Sequence, residues 1–177
     1  MCKLANFLIL LPGFSAVACN TSHRLEAIYC NGAPKAIGPY SHAVKTGNLI
    51  YTSGQIGLSP LTNAFAGDDI KAQTHQALDN LAAILKESGS DMAHVVKVTI
   101  YLKDLNDFAA VNDIYKDYFP DLKPARSTVQ VARLPKDALI EIECVAAIKQ
   151  SQQCKSWLYR DLPFVTMDVQ SIRALRQ

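Results

Sequence analysis

The 177-residue sequence has little net charge of either sign. Its 18 lysines and arginines nearly balance its 16 aspartates and glutamates, so the formal net charge is +2 at pH 7. A protein that binds nucleic acid through bulk electrostatics usually has a strongly basic surface. The sequence also lacks a stripe of interleaved basic and aromatic residues. We therefore expect no nucleic-acid partner.

Metal-binding and phosphate-binding motifs are absent as well. The five cysteines include no Cys-x-x-Cys pair, and the four histidines are scattered. This spacing argues against a structural zinc site, and a domain of this size does not need a disulfide framework. We expect reduced thiols, with Cys144 buried as a small hydrophobic residue. No glycine-rich phosphate loop is present, so the sequence implies no nucleotide cofactor.

The sequence has no apolar run long enough to span a bilayer. Residues 4–11 are apolar but too short, although Lys3 before them and small residues at 16–19 resemble a secretory signal. We divide the chain into an N-terminal extension (1–32, signal-like or disordered), a domain (33–149) and a C-terminal extension (150–177, disordered or packed on the domain). We expect a cytosolic protein without a membrane partner; the alternative is export, if residues 1–18 act as a signal peptide.

Two amphipathic helices are predicted from apolar residues at helical spacing. The first begins after Asp68 and Asp69 and ends at Gly89, while the second begins at Asp107 and ends before Pro120. The predicted inner face of the first helix contains Ile70, Ala77, Leu78, Leu81, Ile84 and Leu85. That of the second contains Phe108, Val111, Tyr115 and Tyr118.

Five strands are predicted from alternating apolar residues. His42–Val44 and Leu49–Thr52 flank a glycine turn. Val95–Leu102 is predicted to bury Val96, Val98, Ile100 and Leu102. The last two strands are Thr128–Val131 and Leu139–Val145. The turn signal at residues 134–137 favours pairing of these last two strands as a hairpin.

The order of elements is strand, strand, helix, strand, helix, strand, strand. Because each helix is apolar on one side, we expect both helices on one face of a single mixed sheet, an α+β fold. The other face would carry apolar residues such as Val145 and Ala147 beside glutamates. An exposed face of this kind predicts self-association.

Arg126 is the strongest candidate for ligand binding. Its planar guanidinium suits a substrate carboxylate, which it can hold with two parallel bonds. The alternative is a surface arginine or a structural ion pair. In the predicted hairpin Arg126 would face residues 145 or 146, with Glu141 roughly 16 Å away along the sheet. A site that uses both residues would need a bent sheet or two chains.

Glu141 and Glu143 lie on one face of an apolar strand, where carboxylates are rare. A partly desolvated glutamate could polarise a water or move a proton. The alternative is an ion pair with a nearby basic side chain, for which the candidates are Arg126, Arg133 and Lys136.

Two further residues stand out by their surroundings. Tyr40 follows Gly38 and Pro39 in a rigid loop and could close over a small ligand, or it could simply anchor the loop. Asn112 lies among apolar neighbours on the second helix, where a polar side chain needs a partner or a function.

Several separated motifs, in order and spanning about residues 33–149, closely resemble the RidA (YjgF-type) family. They are Gly38-Pro39-Tyr40, Tyr51 to Ile56, Val96 to Asp104, Asn112, Pro124 to Ser127, Val131 to Asp137 and Ile140 to Glu143. The resemblance implies a chorismate-mutase-like α+β fold. It also implies a homotrimer with a ligand cleft at each subunit interface.

The implied activity is hydrolysis of 2-iminobutanoate and 2-iminopropanoate to 2-oxo acids and ammonia. By resemblance, Arg126 binds the substrate carboxylate and Glu141 positions the attacking water. The residues that would contact substrate or line the cleft are Tyr40, Ser53, Gly54, Asn112 and Thr128. Thr128 occupies a position that is often cysteine in relatives, which leaves activity plausible. The implied partners are small imino acids, and no cofactor is needed.

Two other classes of function stay open. Members of this family have also been described as single-strand RNA endonucleases or translation inhibitors, although the small net charge argues against that here. A binding or chaperone-like trimer could use the same cleft for small acids without turnover.

Overall fold

Alternating apolar residues build a seven-stranded sheet in the computed structural model, which describes residues 24–149. The strands are β1 (Glu26–Ile28), β2 (Ala43–Thr46), β3 (Leu49–Thr52), β4 (Gln55–Ile56), β5 (Val95–Leu102), β6 (Ala125–Gln130) and β7 (Ile140–Ala147). Their order is β1-β2-β3-β7-β5-β6, and β4 also pairs with β7. The pair β5 and β6 is parallel, and the other pairs are antiparallel. The sheet is therefore mixed, as predicted.

Two helices, α1 (Ile70–Glu87) and α2 (Phe108–Tyr118), cover one face of this sheet. The Asp69 side chain accepts bonds from the backbone N–H groups of Lys71 and Ala72, so it caps α1 as predicted. Gly89, with φ of +84°, lies just past the end of α1. The predicted α+β class is confirmed.

The core lies between the helices and the strands β5 and β7. Ile84 and Leu85 of α1 and Ile100 and Ile142 of the sheet have no exposed surface. Burying a side chain of this size contributes roughly 1.5–3 kcal/mol. Cys144 is 5% exposed, so its predicted burial is confirmed.

The predicted hairpin between the last two strands is wrong. β6 and β7 do not pair with each other, because β5 lies between them. The crossover through α2 brings β6 back parallel to β5, and the chain then passes to the other side of β5. The turn itself exists as a short 3-10 turn at Pro135–Asp137, but it spans β5 instead of closing a hairpin.

The predicted burial of Val96, near the start of β5, is wrong. Val96 is 45% exposed, whereas Val95 is 1% exposed. The pairing register between β5 and β7 shifts between Val95 and Lys97, and the irregularity turns Val96 outward. Val98, beyond the shift, is buried as predicted.

The start of α2 also differs from the prediction. Asp107 precedes the helix, but its side chain makes no capping hydrogen bond. The Asp104 carboxylate instead accepts a bond of 2.9 Å from the backbone N–H of Asn106, which fixes the preceding 3-10 turn. Phe108, predicted on the inner face, is 40% exposed because it begins the helix at the rim of the sheet.

β1 lies upstream of the predicted domain boundary at residue 33 and pairs with β2. The sheet therefore extends into the segment assigned to the N-terminal extension. The predictions for the signal-like segment and for the C-terminal extension concern residues 1–23 and 150–177, which are outside the described part of the chain. Between residues 24 and 149, no helix is long and apolar enough to cross a membrane.

Candidate functional site

One group of predicted site residues lines a cleft of about 280 Å³, here called the glutamate cleft. The cleft is lined by Pro34, Lys35, Ile37, Tyr40, His42, Ser53, Gly54, Gln55, Ile56, Leu58, Pro135 and Glu141. The structure therefore brings together four of the predicted residues, which are Tyr40, Ser53, Gly54 and Glu141.

The other predicted residues belong to a second group, here called the arginine patch. It consists of Arg126 and Thr128 on β6 with Phe108, Asn112 and Tyr115 on α2. Residues four and then three positions apart lie on one side of a helix, so Asn112 lies on the same stripe as the two aromatic residues.

The two groups are on opposite faces of the sheet. Arg126 pairs with Val98, whose side chain is buried on the face that the helices cover. Glu141 pairs with Tyr101, which points to the open face because it is three residues further along β5. One protomer therefore does not bring Arg126 and Glu141 into a single site, and a bend of the sheet does not join them.

Gly54 gives the Glu141 carboxylate its place in the cleft. A Cβ atom on residue 54 would collide with that carboxylate, so only glycine permits the observed approach. The group that closely approaches the backbone at Gly54 is thus the side chain of Glu141.

The Glu141 carboxylate is partly desolvated. Burial raises its pKa above the usual range, and the nearby charge of Glu143 raises the pKa further. The two glutamates differ in their bonding: Glu143 accepts a 3.1 Å hydrogen bond from the Tyr101 hydroxyl. Within residues 24–149, Glu141 accepts no hydrogen bond and forms no ion pair. It is therefore free to bind a water molecule and to exchange a proton.

The loop that carries Tyr40 forms one wall of the cleft. The Tyr40 hydroxyl accepts a 3.3 Å bond from the backbone N–H of Ile37, and the Tyr40 N–H donates to the Gly38 carbonyl at 2.9 Å. The Ser53 hydroxyl donates to the Ser41 carbonyl at 2.7 Å, which ties this loop to β3. Tyr40 is 42% exposed, so its ring is accessible to a ligand.

His42 is a structural residue of the cleft. It is buried, and its Nδ1 accepts a 2.9 Å bond from the backbone N–H of Cys30. Its Nε2 faces the Pro34 carbonyl at 2.9 Å and so carries the proton. Both ring nitrogens are occupied, which leaves none available for acid–base chemistry.

Asn80 supports the floor of the cleft, a role that sequence reasoning missed. It is 1% exposed, and its side-chain amide donates to the carbonyls of Ile56 and Leu58 at 3.2 and 2.9 Å. Gln76 donates to the Asn80 side-chain oxygen at 2.9 Å. The amide nitrogen thus holds the backbone at Ile56 and Leu58, while the side-chain oxygen is held by Gln76 on the same helix.

Gln73 has a similar role two turns earlier on α1. Its amide nitrogen donates to the Gly67 carbonyl at 3.1 Å, and its oxygen accepts from the Leu139 N–H at 2.9 Å. Gln73 and Asn80 lie on the apolar stripe of the helix with Ala77. Polar residues within such a stripe are a signal for buried hydrogen bonds, and this signal could have identified them.

Arg126 lies against aromatic rings on α2. Its guanidinium carbon is 4.5 Å from the ring centre of Tyr115 and 5.6 Å from that of Phe108. Both distances are within the range of cation–π attraction. Arg126 forms no ion pair and donates no hydrogen bond to residues 24–149. The alternative of a structural ion pair with Glu141 or Glu143 is thus wrong within a protomer.

Arg133, another candidate partner for the glutamates, is used elsewhere. Its guanidinium donates to both carboxylate oxygens of Asp137, at 2.7 and 3.0 Å. The structure therefore separates an arginine with a complete ion pair at the turn from Arg126, whose donors are available for a ligand.

Two buried hydroxyl groups of the arginine patch have no hydrogen-bond partner in the part of the chain that the structure describes. They belong to Tyr115 and Thr128. Burial raises the pKa of Tyr115 to about 12, although the charge of Arg126 opposes the shift. Tyr115 is therefore protonated at neutral pH and does not act as a base.

Taken together, these groups offer a guanidinium fork that forms no ion pair in the described part of the chain and a partly desolvated carboxylate. Within residues 24–149, no three His, Cys, Asp or Glu side chains are grouped to hold a metal ion. The mixed sheet with two helices on one face and these two groups define an α+β domain with a candidate site for a small carboxylic acid.

Residues 30–148 match the family described as Endoribonuclease L-PSP. The chain belongs to this family, which includes the YjgF, RutC and RidA proteins. The resemblance to the RidA family found in the sequence motifs is therefore confirmed.

Curated relatives are about half identical to this chain over the aligned residues. A RutC family protein of Pyrococcus abyssi is 54% identical over 121 residues, covering 68% of this chain and 95% of the relative. Reactive Intermediate Deaminase A of Arabidopsis thaliana is 49% identical over 138 residues, with coverages of 77% and 74%. The 2-iminobutanoate/2-iminopropanoate deaminase of Dermatophagoides farinae is 48% identical over 117 residues, with coverages of 66% and 91%.

Solved structures agree with the fold. The E. coli YjgF gene product has a TM-score of 0.67 and 47% identity, covering 70% of this chain and 99% of that chain. E. coli TdcF with bound serine has a TM-score of 0.67 and 41% identity, with coverages of 70% and 99%. The architecture is that of YjgF-like proteins.

Proposed function

We propose that this protein hydrolyses 2-iminobutanoate and 2-iminopropanoate, reactive imines released by amino-acid dehydratases, to 2-oxo acids and ammonia. The observation that carries the proposal is a pair of groups without partners within residues 24–149: the Arg126 guanidinium forms no ion pair, and the partly desolvated Glu141 carboxylate accepts no hydrogen bond. The names of the Arabidopsis and Dermatophagoides relatives support the same reaction.

The site forms between protomers in this proposal. The arginine patch of one protomer meets the glutamate cleft of its neighbour in a homotrimer. Their positions on opposite faces of one sheet support this arrangement. So does the open face, which exposes Tyr51 and Val129 at 47% and 43% and carries Val145 beside them. Apolar residues on an open sheet face favour association with another surface.

Arg126 binds the substrate carboxylate with two parallel charge-assisted bonds. This contact fixes the imine carbon relative to the glutamate cleft. The carbon is already electrophilic, so orientation and delivery of water supply most of the catalysis. Tyr40 and Asn112 line the assembled site, and Ser53, Gly54 and Thr128 contribute main-chain or hydroxyl contacts.

Glu141 acts as the general base and then as the acid. The water oxygen bonds to the imine carbon while one water proton passes to Glu141. Glu141 returns this proton to the nitrogen, which gives a carbinolamine. Glu141 then moves the hydroxyl proton to the same nitrogen as the C–N bond breaks, so ammonia leaves while the carbonyl forms. The raised pKa of Glu141 makes its carboxylate a stronger base than a solvated glutamate. The reaction consumes one water and needs no cofactor or metal, and we place it in the cytosol without a nucleic-acid or membrane partner.

The direct test couples a threonine dehydratase to this protein and traps the remaining imine with semicarbazide. We expect the wild type to suppress semicarbazone formation. Arg126→Ala should lose roughly a hundredfold in kcat/KM, because truncating one member of a charged hydrogen-bonded pair costs about 2–5 kcal/mol. Arg126→Lys should also be impaired, since an ammonium group does not reproduce the planar fork.

Arg133→Ala is the matched control, because it removes an arginine that pairs with Asp137 outside both groups. It should suppress trapping as well as the wild type. A folded wild-type oligomer that leaves trapping unchanged would overturn the proposal. RNA binding with a steep salt dependence would then favour the activity in the family's description, and binding of small acids without turnover would favour a binding protein.

A further inference from the structure

The side chain of Arg126 has an unusual combination of neighbours. Two aromatic rings lie within 5.6 Å of its guanidinium carbon, yet no acidic side chain of residues 24–149 neutralises it. An unpaired arginine at the edge of a sheet would ordinarily sample many rotamers in solvent. Here the guanidinium lies over the Tyr115 ring, with its carbon 4.5 Å from the ring centre.

The Tyr115 ring is itself held in place. It is 7% exposed, and its centre is 4.5 Å from the ring centre of Phe119, four residues later and just past the end of α2. Phe119 is 3% exposed and belongs to the hydrophobic core. The core therefore fixes the Tyr115 ring, and the ring in turn restricts Arg126.

The contact with the ring does not use the N–H donors of the guanidinium. Arginine has five N–H donors, and none of those of Arg126 makes a hydrogen bond or ion pair within residues 24–149. A carboxylate can therefore bind these donors while the guanidinium stays against Tyr115. The geometry points to Tyr115 as a positioning residue that holds the Arg126 fork ready for the substrate carboxylate. This inference rests on the proposed function.

The ring of Tyr115, not its hydroxyl, carries this role. The hydroxyl is buried without a hydrogen-bond partner among residues 24–149, and its pKa is raised by burial to about 12. It neither orients Arg126 through a hydrogen bond nor exchanges protons at neutral pH. Phe108 contributes less, because it is farther from the guanidinium and 40% exposed.

The test compares Tyr115→Phe with Tyr115→Leu in the imine-trapping assay. Tyr115→Phe keeps the ring and should stay within about twofold of the wild type, whereas Tyr115→Leu should raise KM about tenfold and change kcat little. Tyr118→Leu is the matched control, because Tyr118 lies on the same helix but contacts His75 and Asp79. It should leave KM unchanged. A loss in Tyr115→Phe equal to that in Tyr115→Leu, or an unchanged KM in Tyr115→Leu, would overturn the inference.

A second variant series covers the case in which Tyr115→Leu does not fold. Phenylalanine with increasing ring fluorination at position 115 keeps the size of the ring while weakening its attraction for a cation. KM should rise with each step of fluorination at constant oligomeric state. A KM that does not respond to fluorination would contradict the cation–π contact as the source of positioning.

Equilibrium binding separates this inference from the proposed function. The affinity for 2-oxobutanoate, measured by calorimetry, reports on carboxylate binding without turnover. If the wild type fails the trapping assay but binds 2-oxobutanoate, and Tyr115→Leu weakens that binding about tenfold, the positioning role stands while the deaminase function falls. If the wild type binds no 2-oxobutanoate, or Tyr115→Leu binds it equally well, the positioning role falls.

Discussion

The glutamate cleft and the arginine patch are built in different ways. Hydrogen bonds from α1, β3 and the Tyr40 loop hold the cleft, so its backbone is fixed within one protomer. The patch is held by aromatic stacking and leaves the guanidinium of Arg126 and two buried hydroxyls without partners in residues 24–149. The cleft is thus a preformed pocket, whereas the patch presents groups whose partners must come from a ligand or another protomer.

Gly54→Ala should disrupt the cleft and leave the patch intact. The new Cβ displaces the Glu141 carboxylate, so kcat should fall by roughly a hundredfold or more, as expected when a catalytic group is misplaced by about 1 Å. The obstructing atoms belong to a flexible side chain, so the fold should persist. The trapping assay and 2-oxobutanoate binding together check this outcome.

Gly32→Ala serves as the control, because a Cβ there meets its nearest neighbour, Ala83 Cβ, at 3.4 Å. It should retain full activity. If Gly54→Ala kept wild-type kcat, the present position of Glu141 would not be the catalytic one. If it abolished 2-oxobutanoate binding, the two groups would not be separable.

Asn80→Ala should destabilise the backbone that forms the floor of the cleft. Two buried carbonyls lose their donor, and an unsatisfied buried polar group costs about 1–3 kcal/mol. The free energy of unfolding, measured with urea, should show this loss. Lys71→Ala, on the exposed side of α1, is the control, and its free energy of unfolding should stay within about 0.5 kcal/mol of the wild-type value. An Asn80→Ala protein as stable as the wild type would show that the cleft floor does not depend on these bonds.

Glu141→Gln should reveal the free-energy cost of burying the charged Glu141 carboxylate in the cleft. The pH dependence of protein stability measures this cost. The pKa of Glu141 is raised in the folded state. Its contribution to stability is therefore fully present below the unfolded value of 4.5, and it is lost as pH rises through the folded pKa. We expect Glu141→Gln to be more stable than the wild type at pH 7.5, while activity is lost.

The gain in stability should shrink as pH approaches 4, where Glu141 is protonated in the wild type. Thermal unfolding at both pH values, at equal protein concentration, measures the difference. A stability gain that is the same at pH 4 and pH 7.5 would show that desolvation of the charge is not its cause.

Asp91 is a reference site outside both the glutamate cleft and the arginine patch. Its substitution should have the smallest effect on stability. Partial burial raises the pKa of Asp91, but the bonds to His94 and Lys149 outweigh burial and hold the pKa at about 2. The stability from this network is present above pH 3.8 and is lost as pH falls through about 2.

Asp91→Asn should cost about 0.5 kcal/mol at pH 7, a small value because the carboxylate is 39% exposed and screened by solvent. At pH 2 the variant and the wild type should converge. A cost that persists unchanged at pH 2 would contradict the electrostatic origin.

The local elements of the fold were predictable because local signals determined them. The Asp69 cap, the apolar stripe and Gly89 define α1 within the sequence that forms it. The alternation in β7 placed Glu141 on the face away from Ile140 and Ile142, as the structure confirms. Each of these features depends on residues that are near each other in the chain.

Strand pairing was not predictable from the same signals. β6 and β7 flank a turn, so local reasoning favours a hairpin, whereas β6 pairs with β5 across the whole of α2. The face of Arg126 follows from that long-range register, and for this reason the sequence did not predict that Arg126 and Glu141 lie on opposite faces of the sheet. β4 has two residues, too few to show any alternation.

The most direct test of the central claim mixes two inactive variants, Arg126→Ala and Glu141→Gln, and refolds them together. If each site combines the arginine patch of one protomer with the glutamate cleft of another, random trimers should restore about a quarter of the wild-type sites. Native mass spectrometry confirms that mixed oligomers have formed. Recovered imine hydrolysis is the predicted result, and mixed oligomers as inactive as either variant alone would contradict a site shared between protomers.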